Sequence, residues 1–117
     1  IAGGNACVVL ASSLKPLCSI TWAEVLHSSD VPAGVVNIIT GIKNELLKHF
    51  SSHMDVNALV YCGEKMKEIR TIEKMSSLNV KRAVIYQNTD WNPDTSQGPY
   101  YILDTQEIKT TWHPIGI

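Results

Sequence analysis

Glycines stand directly after two predicted strands, at positions where α/β folds often bind phosphate. Gly41 follows the apolar run at 35–40, and Gly63 follows the run at 58–62. In an open parallel sheet, ligands bind beyond the carboxyl ends of the strands, where helix N-termini attract anions. Single glycines also make ordinary turns, so both positions allow either a nucleotide site or simple turn formation.

The nucleophilic and metal-ligating side chains form no recognisable catalytic or metal pattern. Cys7, Cys18 and Cys62 are widely spaced, and two of them fall in or beside predicted buried strands, where a thiol acts as a small hydrophobe. Their odd number favours reduced thiols in the cytoplasm. None of the four histidines has a metal-ligand spacing to another histidine or to a cysteine, so we predict no metal site.

Strands and helices alternate over the first 86 residues. Four apolar runs with β-branched residues predict buried strands, at residues 6–10, 35–40, 58–62 and 81–86. Apolar residues at helical spacing predict three intervening helices with buried stripes, over residues 17–26, 42–50 and 66–75. This alternation predicts an α/β fold with an open, mostly parallel sheet and helices on both faces.

The remaining residues differ in composition. Residues 87–99 are rich in Asn, Asp, Ser, Gly and Pro, which predicts a linker loop after a first unit at 1–86. Residues 100–117 form a C-terminal segment, with a short helical turn predicted at 100–104 and a final strand at 107–113. The first residues have neither an initiator Met nor a signal peptide, so we expect a piece of a longer chain.

The composition argues against two classes of partner. The 117 residues have a formal net charge of −1, and the basic residues are spread along the sequence, so nucleic acid is not an expected ligand. Every apolar run is far shorter than the roughly 20 residues that cross a bilayer. We therefore expect a soluble, cytoplasmic domain with no membrane partner.

Several motifs resemble the aldehyde dehydrogenase superfamily in order and spacing. They are GNACVVL at 4–10, PL at 16–17, VPAGVVNIITG at 31–41, SHMDV at 52–56 and KR at 81–82. The resemblance covers residues 3–86 almost without gaps. It implies that residues 1–86 are part of a Rossmann-like nicotinamide-dinucleotide-binding domain, and that the parent protein is an oxidoreductase.

The resemblance also implies that the ribose site is degenerate. The family has a Lys directly after the first strand and a Glu three positions later, whereas this chain has Ala11 and Leu14. Each lost charge-assisted hydrogen bond removes about 1.5–3 kcal/mol of binding. Ser13 stays polar, and Lys15 could reach back to replace the missing Lys, so weak cofactor-binding positions are Ser13, Lys15, Gly41 and Gly63.

The other functional motifs of the family are changed as well. Its Thr-Gly-Ser turn for the pyrophosphate corresponds here to Cys62-Gly63-Glu64, which presents a carboxylate to an anion. The general-base Glu is replaced at Tyr86-Gln87-Asn88, and every cysteine precedes the place expected for the nucleophile. We therefore predict no catalytic residue and no tightly bound cofactor in this chain, with NAD possible by family resemblance.

The C-terminal segment resembles the family's oligomerisation strand. Residues 106–112 (QEIKTTW) match its Glu-Val-Lys-Thr-Val pattern, which implies that Ile108, Lys109 and Trp112 are interface residues. With most of the catalytic domain missing between, the chain is most similar to the non-catalytic C-terminal region of family 16 type aldehyde dehydrogenases.

Three functional hypotheses follow. The first is a non-catalytic domain, or pseudoenzyme, with a structural role in assembly, whose partner is the rest of its parent chain or a second subunit of a homo-oligomer. The second is a fragment of an NAD-dependent aldehyde dehydrogenase. The third is a regulatory dinucleotide-binding module, which cofactor affinity would distinguish from the first.

Overall fold

The computed structural model describes residues 1–116, in which strands and helices alternate as far as Tyr86. The strands are β1 (Cys7–Leu10), β2 (Val36–Ile39), β3 (Ala58–Cys62) and β4 (Arg82–Tyr86). The helices are α1 (Leu17–His27), α2 (Lys43–Ser52), α3 (Met66–Ser77) and the short α4 (Tyr100–Leu103). The predicted α/β fold is confirmed, and every helix within residues 1–116 is too short or too polar to cross a bilayer.

The strands form two separate parallel pairs instead of the one open sheet that the sequence predicts. β1 pairs with β2, with Cys7 opposite Val36, and β3 pairs with β4, with Ala58 opposite Arg82. Within residues 1–116, no strand ladder joins the two pairs. Each pair is therefore one βαβ unit, closed by α1 or by α3.

The core lies between the β3–β4 pair and two helices. Ile72 of α3 is fully buried, and Leu59, Tyr61 and Ile69 surround it. Half-buried apolar residues complete this cluster, namely Leu47, Phe50, Ala83 and Ile85. Helix α2 packs along α3 and contributes Leu47 and Phe50 to this cluster. Within residues 1–116, it is the only cluster of buried apolar residues, and it lies in the second half of the chain.

Helix α1 forms as predicted, but its apolar stripe is not buried. No residue of α1 is buried, and Trp22 is 55% exposed. Leu17, Ile20 and Val25 are exposed as well. Ala23 and Leu26 of the predicted stripe are half-buried, and α1 packs against β2, so within residues 1–116 only the remaining apolar residues of the helix are uncovered.

The C-terminal segment folds back on the first unit without forming the predicted strand. The helical turn predicted near residue 100 is present as α4, whereas residues 107–116 belong to no helix or strand. A strand needs hydrogen bonds to a neighbouring strand, and residues 107–113 join neither of the two sheets.

Residues 104–106 connect both halves of the chain. The Tyr86 hydroxyl donates to the Asp104 carboxylate, and the Arg82 guanidinium donates to the carbonyl of Gln106. The Asn5 amide donates to the carbonyl of Thr105 at 3.1 Å. The segment therefore holds the residues before β1 beside β4.

Aromatic rings reinforce this arrangement. Tyr86, Trp91 and Tyr101 contact one another with ring centroids 5.2–5.4 Å apart. Edge-on and tilted aromatic contacts of this kind are favourable beyond the area that they bury. The predicted linker at 87–99 is thus packed against β4 at Trp91.

Val80 has a strained backbone, and its replacement by Gly should stabilise the fold. The Lys81 N–H donates to the Ser76 carbonyl, which places Val80 at the left-handed position of a Schellman cap, with φ 54° and a 95% exposed side chain. A β-branched residue is unfavourable there. We expect Val80→Gly to raise the unfolding free energy by about 1 kcal/mol, or roughly 4 °C in Tm.

Thermal and urea denaturation of the purified chain would measure this gain. Val25→Gly is the matched control, because Val25 lies inside α1 and glycine there should cost about 1 kcal/mol. Equal decreases in unfolding free energy for Val80→Gly and Val25→Gly would contradict the strain assigned to Val80.

Candidate functional site

The two glycines singled out in the sequence lie at the carboxyl ends of β2 and β3, each just before a helix. A Cβ atom on Gly63 would lie 2.7 Å from the Tyr61 hydroxyl, and one on Gly41 would lie 2.7 Å from a methyl carbon of Leu46. Both distances are too short for a real contact. The glycines are thus explained by side chains that pass close to the backbone, without any ligand.

Beside these turns, a buried carboxylate joins three structural elements. Glu68 lies in the first turn of α3 and is only 8% exposed. Its Oε2 accepts a hydrogen bond from the Tyr61 hydroxyl at 2.7 Å and lies 2.7 Å from the Lys43 Nζ, while Lys65 lies 3.5 Å from Oε1. We call these four residues the Glu68 cluster.

The charges in this cluster stabilise one another. Burial raises the pKa of the Glu68 carboxyl, but hydrogen bonds from Lys43 and Tyr61 outweigh burial and bring the net pKa below its ordinary value. The hydrogen bond to Glu68 raises the pKa of Lys43, and burial together with the same carboxylate raises the pKa of Tyr61. Glu68 is therefore ionised and Lys43 protonated near neutral pH.

A shallow cavity of about 450 Å³ opens beside the cluster, between α2 and α3. Lys48, Lys65 and Lys67 line it together with Glu68. The N-termini of two helices meet here, an arrangement that usually attracts an anion. The Glu68 carboxylate already lies at this position and pairs with Lys43 and Lys65, so it serves as a resident anion.

The other predicted cofactor-binding positions, Ser13 and Lys15, make no contact with the Glu68 cluster. Ser13 and Lys15 are exposed in the loop between β1 and α1. The Lys15 backbone N–H donates to Ser12 Oγ, but within residues 1–116 neither side chain makes a hydrogen bond or an ion pair. Ala11, which follows β1, is buried. The structure therefore does not connect Ser13 or Lys15 with the cavity between α2 and α3.

The cysteines do not form a reactive centre. Cys7 is half-buried, while Cys18 and Cys62 are exposed, so the expectation that Cys62 is buried is wrong. Cys62 ends β3, and partial burial still raises the pKa of its thiol, which disfavours the nucleophilic thiolate. No group of His, Cys, Asp and Glu among residues 1–116 could hold a metal ion.

The three residues expected at an interface are open to solvent. Ile108 is 77% and Trp112 84% exposed, and the Lys109 Nζ lies 3.8 Å from Glu107 Oε1. Large apolar side chains are normally covered, so this exposure is compatible with an interface.

Sequence reasoning missed the Glu68 cluster. Glu68 lies four residues before Ile72, which is the spacing of side chains on one helical face. That spacing was a signal that Glu68 is on the buried face of α3. A buried carboxylate needs a partner, and the nearest cation, Lys43, is on another element and could not be paired with it from spacing alone.

Replacing Glu68 by Gln should reveal how much the ion pairs stabilise the fold. We expect Glu68→Gln to lower the unfolding free energy by about 1–2 kcal/mol at pH 7, because a hydrogen bond to a charged group is replaced by a neutral one. The folded-state pKa of Glu68 is lowered, so its contribution is present above the ordinary carboxyl pKa and is lost as pH falls through the folded value.

Urea denaturation at a series of pH values measures both effects. The difference in unfolding free energy between Glu68→Gln and wild type should shrink as the pH falls. Glu73→Gln is the control, since Glu73 is exposed on the same helix. A constant difference at all pH values would show that the charge of Glu68 is not what stabilises the fold.

Comparison with known proteins explains the order of these elements. The sequence profile of the aldehyde dehydrogenase family matches residues 1–87. An aldehyde dehydrogenase of Emericella nidulans is 26% identical over 119 aligned residues, covering 100% of this chain and 22% of that protein. The NADP/NAD-dependent aldehyde dehydrogenase PuuC of Escherichia coli K12 is 28% identical, covering 70% of this chain and 17% of that protein.

The fold agrees with these matches. The crystal structure of an aldehyde dehydrogenase from Bartonella henselae superimposes with a TM-score of 0.64 at 28% identity, covering 68% of this chain and 17% of that one. The chain thus spans about a fifth of the length of the relatives that it matches. From the profile match over most of its length, together with this fold, the chain belongs to the aldehyde dehydrogenase family.

Proposed function

We propose that this chain is a non-catalytic, structural domain that packs against another folded body, either the rest of its parent protein or a second subunit. The single observation that carries this proposal is the uncovered apolar face of α1. Trp22, Leu17 and Val25 are all about half or more exposed on a helix with no buried residue. Several large apolar side chains exposed on one helix are typical of a protein interface.

The chemistry near the strand ends supports the same proposal. The family's dinucleotide chemistry needs an anion site, but the Glu68 carboxylate is fixed where a phosphate would approach. Ala11 is buried and apolar at the position where the family resemblance implies a ribose-binding Lys. The predicted absence of a catalytic base and nucleophile points in the same direction.

The second candidate is that the chain binds NAD weakly, as a regulatory module or as part of an NAD-dependent aldehyde oxidoreductase. The cavity beside α2 and α3 favours it, because Lys48, Lys65 and Lys67 line its walls. Their positive charge is only partly neutralised by Glu68. In this case the dinucleotide phosphates would compete with the Glu68 carboxylate for the lysines.

Sedimentation of the purified chain over a concentration series, paired with an NADH titration, separates the two candidates. We expect self-association at tens of micromolar, since the isolated chain has only other copies to cover α1. A Trp22→Ser, Val25→Ser variant should stay monomeric with unchanged helicity. Leu78→Ser is the matched control, since Leu78 is an exposed apolar residue outside α1 and outside the predicted interface residues.

The proposal is overturned by a chain that is monomeric at every concentration and saturates with micromolar NADH. That result would favour the dinucleotide-binding candidate. Under the assembly proposal, NADH should not bind below millimolar concentration, and Glu68→Gln should strengthen any residual binding by removing the resident anion.

A further inference from the structure

Basic residues follow one another along the solvent side of α3. Lys67, Arg70 and Lys74 are exposed, and their intervals of three and four residues place them on one helical face. Seven residues of α-helix span about 10 Å, so the three charges form a row about two turns long. The buried residues of α3, such as Ile69 and Ile72, are on the other side of the helix. The row therefore belongs to the face that the core does not use.

This row borders two shallow cavities that meet. The cavity of about 450 Å³ between α2 and α3 and a second cavity of about 430 Å³ are both lined by Lys67 and Thr71. The second cavity is lined further by Arg70, Lys74 and Met75, and no carboxylate among residues 1–116 lines it. We call the two cavities together the basic groove.

Positive charge is concentrated at the basic groove. Half of the ten Lys and Arg residues line it, although the chain has a net charge of −1; they are Lys48, Lys65, Lys67, Arg70 and Lys74. Glu68 is the only carboxylate among the described residues that lines the groove, and it is paired with Lys43 and Lys65. The other four cations of the groove form no ion pair within residues 1–116. Their charge is therefore uncompensated at this surface.

We propose that the basic groove binds an acidic segment of a partner polypeptide. A row of cations about 10 Å long exceeds the reach of one phosphate or carboxylate group, whereas Glu or Asp residues at helical spacing match it. Complementary charge of this kind selects a partner and speeds its association. The groove lies on α2 and α3, so this inference goes beyond the proposed function, which rests on α1.

The lining of the groove favours a protein over other occupants. Single-stranded nucleic acids are usually held by aromatic rings on which the bases stack, and no aromatic residue within residues 1–116 lines either cavity. Leu47 and Met75 instead offer apolar contacts, which suit an amphipathic acidic segment. A second copy that presented the same face of α3 would bring like charges together, which is unfavourable.

Fluorescence anisotropy of a labelled peptide tests the groove in the purified 117-residue chain. The peptide has about 20 residues, since shorter helices are marginal in water, with Glu at positions i, i+3 and i+7 and two Leu beside them. We expect a Kd on the order of tens of micromolar that rises with salt concentration, because salt screens exposed charges. The control peptide has Gln in place of each Glu and should not bind below millimolar concentration.

Substitutions of exposed residues locate the binding. Arg70→Gln should weaken binding of the Glu peptide about threefold, and Arg70→Gln combined with Lys74→Gln about tenfold, as expected for losing one and two exposed ion pairs. Glu73→Gln removes a negative charge from the same helix and should strengthen binding about twofold. Lys15→Gln is the matched control, because Lys15 is exposed in the loop between β1 and α1. Gln is a good helix former, so the α3 variants should fold.

Several results overturn this inference. Equal affinity for the Glu and Gln peptides, or equal loss in Arg70→Gln and Lys15→Gln, contradicts an acidic ligand in the groove. A single-stranded thymidine oligonucleotide that binds more tightly than the peptide, with the same loss in Arg70→Gln, makes nucleic acid the ligand. Self-association of the chain that Arg70→Gln weakens makes a second copy the occupant.

The outcomes for the groove and for α1 are distinguishable. A chain that self-associates through α1 but does not bind the Glu peptide disproves only the acidic partner. A chain that stays monomeric and binds the peptide through Arg70 disproves only the proposed function.

Discussion

Replacing Ile72 by Ala should destabilise this chain by about 2–5 kcal/mol, the range for losing a large aliphatic side chain from a closed core. Ile72 is fully buried and lies among Leu59, Tyr61 and Ile69. These residues, together with the half-buried ones around them, form the only apolar cluster within the described residues. A small domain has a total stability of 5–15 kcal/mol, so the loss is a large share of it.

Urea denaturation followed by circular dichroism at 222 nm measures this loss. Leu78→Ala is the matched control, because Leu78 is 75% exposed directly after α3 and should change the unfolding free energy by less than about 0.5 kcal/mol. If both variants unfold at the same urea concentration, Ile72 is not at the centre of the core.

Replacing Lys81 by Met should cost about 2–3 kcal/mol, the second largest effect that we expect. Lys81 is 8% exposed, and its ammonium donates to the carbonyls of Phe50 and His53, each at 2.8 Å. These carbonyls belong to the C-terminal end of α2, whose last acceptors have no partner inside the helix. Met fills a similar volume but leaves the Phe50 carbonyl without this donor, whereas the His53 carbonyl keeps the Val56 N–H and the Asn79 amide.

The stability difference between wild type and Lys81→Met should depend on pH, because burial lowers the pKa of Lys81. The unfolded state binds the proton more tightly in the window between the lowered pKa and the ordinary one. Stability relative to Lys81→Met should therefore rise with pH through that window.

Lys67→Met is the control for a lysine on the surface, since Lys67 is exposed on α3. Denaturation of both variants between neutral and alkaline pH would test the assignment. A Lys81→Met variant as stable as wild type would mean that water satisfies the Phe50 carbonyl in place of Lys81.

The order of strands and helices could be predicted from the sequence because the apolar period changes clearly between them. The run at 58–62 became β3 with the predicted bounds, and the other strands and helices formed within two residues of the predicted positions. The helical turn near Tyr100 was also predicted. Local periodicity was sufficient for these features, since each depends on side chains within about ten residues.

Burial and pairing could not be predicted in the same way because they depend on surfaces distant in the sequence. Trp22 has helical spacing whether or not anything covers it. The single predicted sheet became two pairs, since hydrogen bonding between strands depends on how segments distant in the sequence approach each other. The strand expected at 107–113 has the same requirement.

The candidate site was predicted in part. Gly41 and Gly63 do lie at strand ends, but their close contacts with Leu46 and Tyr61 depend on side-chain directions that spacing does not give. Glu64 was considered as the carboxylate facing a phosphate, whereas Glu68, one turn later in the chain, is the buried one.

The hydrogen bond between Asn5 and Thr105 has a consequence for the order of folding. It joins residues 100 positions apart, and it forms only after a very long loop has closed. Loop closure becomes entropically more costly with length, and contacts distant in the sequence slow folding. The unit from β3 to β4 needs only a loop of about 20 residues, so it is suited to nucleate first, with the Asn5–Thr105 contact among the last to form.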